Sequence, residues 1–194
     1  MDAEKFDPFI AEWISFSKNP NYNLIEKCLK MAQILEYPEL NISKYIEKIN
    51  EMGNSLKIKI GEVKNSTYLI SMLNEYFFDE LGFHGAEEDY YDPGNSFLNI
   101  VLDKKTGIPI TLSIIYSEVA KNIGLDLQIV GFPGHVIVKY KDEVILDPFY
   151  RGRLLTIEDL EGILNRNFGE GVEFVPEYLN SATAEQLLTR LLRN

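Results

Sequence analysis

Apolar positions in the first third of the chain recur at the helical period. Leu24, Cys28, Met31 and Leu35 fall at i, i+4, i+7 and i+11, with Ile25, Leu29 and Ala32 beside them. That spacing predicts one helix with a broad apolar stripe, and Pro38 stops it. Ile42, Tyr45, Ile46 and Ile49 mark a second helix, with Gly53 as its expected end. Ser66 or Thr67 is the expected cap of a third, TYLISMLNEYFFDEL, which closes at Gly82. Residues 99–102 form a short apolar segment before a polar DKKTG turn. Pro109 then stands at a first helical position, and Ile110, Ile114, Ile115, Val119 and Ile123 supply a buried face up to Gly124. Beyond it the period shortens to two, and residues 127–132, 135–140 and 144–146 read as three short strands. Helices return where Thr156 precedes IEDLEGILNRN and where Thr183 and Gln186 have capping-box spacing. Helices, a central helix, antiparallel strands and helices again make an α+β order.

Composition narrows the function classes. A chain of 194 residues, 45% hydrophobic and 12% aromatic, has enough apolar surface for a sizeable core. Its net charge of −11 argues against nucleic acid and anionic membrane as partners, because both require a basic face. The single cysteine, Cys28, rules out an internal disulfide framework and fits a reducing compartment. The start, MDAEKFDPFIAEW, has no basic stretch followed by an apolar one, and no apolar run reaches the length of a membrane span. A cytoplasmic protein is the expectation. Between Glu75 and Asp92 there are seven acidic residues and no lysine or arginine. Such a run is ordinarily a solvated surface, or else a surface for a basic peptide.

The candidate chemistry lies in GFPGHVIVKYKDEVILDP. His135 opens one strand, and Asp147 ends the next, directly before a proline. A two-residue Asp142-Glu143 loop would put the two side chains on opposite faces of the hairpin. A three-residue loop over residues 141–143 pairs Ile137 with Asp147 and brings His135 to the same face as a diagonal neighbour. Asp-Glu suits a tight primed turn poorly, so the longer loop and a His–Asp contact are expected. A carboxylate accepting from one imidazole nitrogen leaves the other nitrogen free as a base. The bland alternative is a strand-end histidine that satisfies a local carboxylate. Gly131, Phe132, Pro133 and Gly134 shape the turn that presents the histidine under either reading.

These residues resemble a known family. FHGAEEDYYDPGNSFLNIVLDKKTGIPITLSIIYSEVAKNIGL, VGFPGHVIVKY and ILDPFYRGRLL, all within residues 77–156, look like the core of the transglutaminase-like superfamily. The closer likeness is to a bacterial subfamily whose transglutaminase-like domain is often followed by tetratricopeptide repeats, and EYPELNISKYIEKI fits it too. The resemblance implies a papain-like fold, with the central helix packed on a small antiparallel sheet. It further implies a helical N-terminal portion over residues 1–65, a core over 66–180 and a C-terminal helix over 181–194, with a repeat region following in the longer relatives. The family pattern is a cysteine at the start of the central helix, then His, then Asp. Such a thiolate is stabilised by the helix dipole and the free N–H groups of the first turn. His135 and Asp147 match the second and third members. The cysteine position falls on or near Pro109, which cannot be a nucleophile, and Cys28 reads as a core residue of another helix.

Two functional readings follow. In the first, the domain lacks the nucleophilic cysteine and binds a peptide or protein in the former substrate cleft, with Asn95, Tyr90, Tyr91, Asp92 and Pro109 lining it. In the second, Ser113 or Thr111 serves as nucleophile of a hydrolase or acyl transferase, with His135 as base and Asp147 orienting it. Helical spacing puts Thr111 and Ser113 on different faces, so at most one could meet the imidazole. A metal site at His84, the acidic loop and His135 lacks ligand spacing, and no cofactor motif is present.

Overall fold

The computed structural model describes residues 8–194. The N-terminal stretch read for a leader therefore begins outside the described residues. The chain runs through α1 (Pro8–Ser17), α2 (Leu24–Leu35), α3 (Ile42–Ile60), α4 (Ser66–Asn74) with a π-helical extension over Glu75–Glu80, and β1 (His84–Gly85). It continues through α5 (Leu98–Lys104), β2 (Thr106–Gly107), α6 (Pro109–Asn122), β3 (Leu127–Val130), β4 (Ile137–Tyr140), β5 (Val144–Asp147), β6 (Arg153–Leu154), α7 (Ile157–Phe168) and α8 (Ala184–Leu191). This is an α+β arrangement, with a four-stranded antiparallel sheet in chain order and a two-residue parallel pair, β1 with β2. No helix of the described residues is long and apolar enough to cross a membrane.

The central helix α6 is buried on nearly every side from Pro109 to Ala120. Apolar side chains fall on all sides of it, with three buried hydroxyls at Thr111, Ser113 and Ser117 among them, so the helix is enclosed by its neighbours. α2, α3 and α5 pack against it, and one face of the sheet, through Val138 and Leu146, closes the main core. The other face, through Val130 and Ile137, packs against Leu160, Ile163 and Leu164 of α7 in a second, smaller core. The sheet is therefore enclosed between α6 and α7, so successive strand residues that point to opposite faces, such as Ile137 and Val138, are both apolar and buried.

Two expectations about the elements need correction. The second helix does not stop at Gly53 but runs on to Ile60. A Cβ at Gly53 would lie 2.4 Å from Asn122 Cγ, so this glycine permits the close approach of α3 and α6. The third helix is capped by Asn65, whose side chain accepts from Tyr68 N–H, and not by Ser66 or Thr67. The apolar segment before DKKTG is helical, forming α5. The β4–β5 hairpin has the three-residue loop, with Tyr140 opposite Val144 and Lys141 at a φ of +52°.

Candidate functional site

A short turn sets His135 in place. Phe132, Pro133, Gly134 and His135 form it, with His135 N–H donating to the Phe132 carbonyl at 3.0 Å. Gly134 has a φ of +76°, and proline followed by a left-handed glycine is the type II pattern. His135 Nε2 lies 2.9 Å from Asp147 Oδ2. The carboxylate can only accept here, so Nε2–H donates, and Nδ1 retains its lone pair when the ring is neutral.

Asp147 is 1% exposed, yet its oxygens have partners on several sides. Oδ1 accepts from Phe149 N–H at 3.0 Å and from Tyr150 N–H at 3.4 Å, which caps the helical turn Pro148–Tyr150. Burying a carboxylate is costly unless its lone pairs are used, and here three donors compensate it. The Asp–Pro–Phe–Tyr stretch thus places the carboxylate and then folds two aromatic rings beside it. The Tyr150 ring is stacked on the imidazole at 6.3 Å, and Phe149 meets it edge-on at 6.1 Å.

The pair opens into a cleft of about 860 Å³. Tyr90, Tyr91 and Pro109 line it beside His135 and Asp147, with Arg153 and Leu155 of the sheet edge and Asp159, Arg166 and Asn167 of α7. Pro109 is the first residue of α6, so the start of the central helix and the His–Asp pair share one cleft. A second depression of about 660 Å³ adjoins it, sharing Glu87, Phe149 and Tyr150. Glu87, Glu88 and Asp89 line this second part with one arginine, Arg151, which is itself paired with Asp79. Arg153 is paired with Asp159. Burial pushes the Tyr90 phenol up, against the pull of Arg190.

Other candidates lie elsewhere. Thr111 Oγ1 accepts from Ile108 N–H at 3.1 Å and donates to the Asn95 carbonyl at 2.9 Å, so its hydroxyl is committed to the start of α6. Ser113 Oγ is fully buried with no hydrogen-bond partner and does not line the cleft. Asn95 is buried and donates to the Asp89 carbonyl at 2.7 Å, which holds the acidic loop from behind. Asp92 accepts from Gly94 N–H and pairs with Lys104, outside the cleft. His84 Nδ1 donates to the Gly82 carbonyl, and its Nε2 is bound by Thr106. Among the described residues no group of three His, Cys, Asp or Glu side chains is gathered as for a metal. Cys28 is buried in α2, where burial pushes its thiol up to about 12.

Sequence reasoning missed the α7 wall. Arg166 and Asn167 carry no motif and reach the cleft only because α7 folds back over the sheet. Tyr150 was nearer to view, three residues after Asp147 in the same short turn.

A family model described as the transglutaminase-like superfamily matches residues 43–193. A UPF0162 protein of Xylella fastidiosa (strain 9a5c) is 34% identical over 165 residues, which cover 82% of this chain and 59% of that protein. A UPF0162 protein of Haemophilus influenzae is 32% identical over 124 residues, covering 62% of this chain and 46% of that protein. F-box only protein 21 of Homo sapiens is 29% identical over 153 residues, covering 70% of this chain and 24% of that protein. The chain thus spans about three fifths of the length of the Xylella relatives. No solved structure matches it. With the helix start, the histidine-bearing hairpin and the Asp–Pro turn in one cleft, and the family model covering all three, the chain belongs to the transglutaminase-like superfamily and has its papain-like fold.

Proposed function

We propose that this domain binds an extended peptide segment of a protein partner in the groove around His135 and does not perform acyl transfer through a thiol. The observation that carries this reading is Pro109 at the start of α6, in the cleft with His135 and Asp147, while the one cysteine of the chain is buried in α2. A thiol held up to about 12 is no nucleophile at neutral pH, and it lies outside the cleft. The groove supports a peptide in other ways. It joins two depressions, has the aromatic walls Tyr90, Tyr91 and Tyr150, and carries carboxylates at Glu87, Glu88 and Asp89 that favour lysine or arginine in the bound segment. The free Nδ1 of His135 is a hydrogen-bond acceptor for a peptide N–H.

The hydroxyl-nucleophile reading finds no comparable support. Thr111 Oγ1 is committed to the Ile108 and Asn95 backbone, and Ser113 Oγ lies outside the cleft. Capture from a library of short peptides, with wild type beside His135→Ala, tests the proposal. Retention of a lysine- or arginine-containing subset by wild type and its loss by the variant is the expected result. Turnover of a peptide ester, or labelling by a serine-directed acylating probe that His135→Ala abolishes, would sink it.

A further inference from the structure

The turn that presents His135 is gripped from two helices that follow it in the chain. Arg190 of α8 reaches across with Nη1 donating to the Phe132 carbonyl at 3.0 Å. That same oxygen accepts the His135 N–H at 3.0 Å, so both of its lone pairs are used within the turn. From the other side, Asn167 of α7 packs directly on Gly134, where an added Cβ would lie 2.4 Å from its Cγ. Asn167 is itself held by a 2.8 Å bond to the Ile163 carbonyl. α8 in turn is anchored by buried Leu187, Leu188 and Leu191 and by its Thr183–Gln186 capping box.

We propose that Arg190 is a positioning residue for His135: through the Phe132 carbonyl it fixes the turn, and so aligns the imidazole with Asp147 and with the cleft. The bond is charge-assisted and partly shielded from water, and such bonds are stronger than neutral ones. Phe132 anchors the start of the turn in the second core, whereas Gly134, with its positive φ, has the freedom to leave its left-handed conformation unless its neighbours hold it. Held at the carbonyl by Arg190 and at the glycine by Asn167, it presents one imidazole orientation. α8 thereby couples to the site although, of these two contacts, Arg190 lies outside the cleft and only Asn167 lines it. The inference extends the groove reading, but its test needs no ligand, so the two can fail separately.

Carbethoxylation of the full chain with diethyl pyrocarbonate, read by mass spectrometry, reports on both histidines at once. The chain has two, and His84, held by its own bonds to Gly82 and Thr106, is the internal reference. In Arg190→Met, which keeps an apolar stem and removes the donor, the His135-to-His84 rate ratio should rise on the order of tenfold, as loss of a charge-assisted bond implies. Arg190→Lys should fall between the variant and wild type. An unchanged ratio in folded Arg190→Met, or an equal acceleration at His84, overturns the proposal. Should Arg190→Met fail to fold, NMR exchange of the Arg190 guanidinium protons in wild type decides the matter. Exchange slower than that of Arg193 supports the clamp, and exchange at the same rate overturns it.

Discussion

At the scale of single residues, the fold treats two of its charged side chains in opposite ways. Asp147 is buried and compensated by His135 and two backbone N–H groups. Lys105 is the opposite case. It sits in the left-handed conformation after α5, with its ammonium 4.3 Å from the centre of the Phe83 ring. Burial, and then the nearby charge of Lys48, push it down to about 8, against the pull of Asp103. Between about 8 and its ordinary 10.5 the folded chain thus binds fewer protons than the unfolded chain at this side chain. Stability contributed by this group therefore rises as pH increases across that window. Urea midpoints of wild type and Lys105→Met compared at several pH values should show the wild type gaining on the variant as pH rises through it. A difference that does not change with pH would mean that the amine is not perturbed.

At the scale of elements, packing overrode local preference more than once. Glycine costs roughly 0.5–1 kcal/mol relative to alanine inside a helix. On propensity alone, Gly53→Ala should therefore stabilise α3. The new methyl would meet Asn122 Cβ at 2.6 Å and Cγ at 2.4 Å, however, and that side chain is held by its 3.1 Å bond to the Glu118 carbonyl, so relief requires breaking the bond or parting the helices. Overpacking costs about 1–3 kcal/mol, so Gly53→Ala should lower thermal stability, and a rise would show that α3 and α6 can part. Gly53 looked like a helix end in the sequence because a stopping glycine and a close-packing glycine are the same letter. The caps at Thr156 and Thr183 were legible because both partners of each box lie within three residues. α5 was not, because seven residues are too few to establish a period.

At the scale of the whole molecule, charge and shape act together. The net charge of −11 and the carboxylates of the groove should draw a basic peptide from a distance. Association measured by stopped flow should slow as salt is raised from low to physiological ionic strength, while dissociation changes less. An association rate indifferent to salt would place the contact away from the acidic stretch. The two-core architecture also explains why the α7 side of the groove escaped sequence reading. α7 shows an apolar face, but that face alone does not say which side of the sheet it will cover.

By itself the sequence determined the helical and strand periods, the central helix with its proline start, and the three-residue hairpin loop that puts positions 135 and 147 on one face. These depend on neighbours a few residues apart, whose spacing and turn chemistry act locally. Only the tertiary structure decided that Thr111 is committed to the backbone, that Ser113 lies outside the cleft, and that Arg190 and Asn167 grip the histidine turn. Those relations join residues separated by long stretches of chain, and they exist only once the sheet is enclosed between α6 and α7. The reason is physical: periodicity fixes which face of an element is apolar, but the choice of what covers that face is made by the packing of all the elements together.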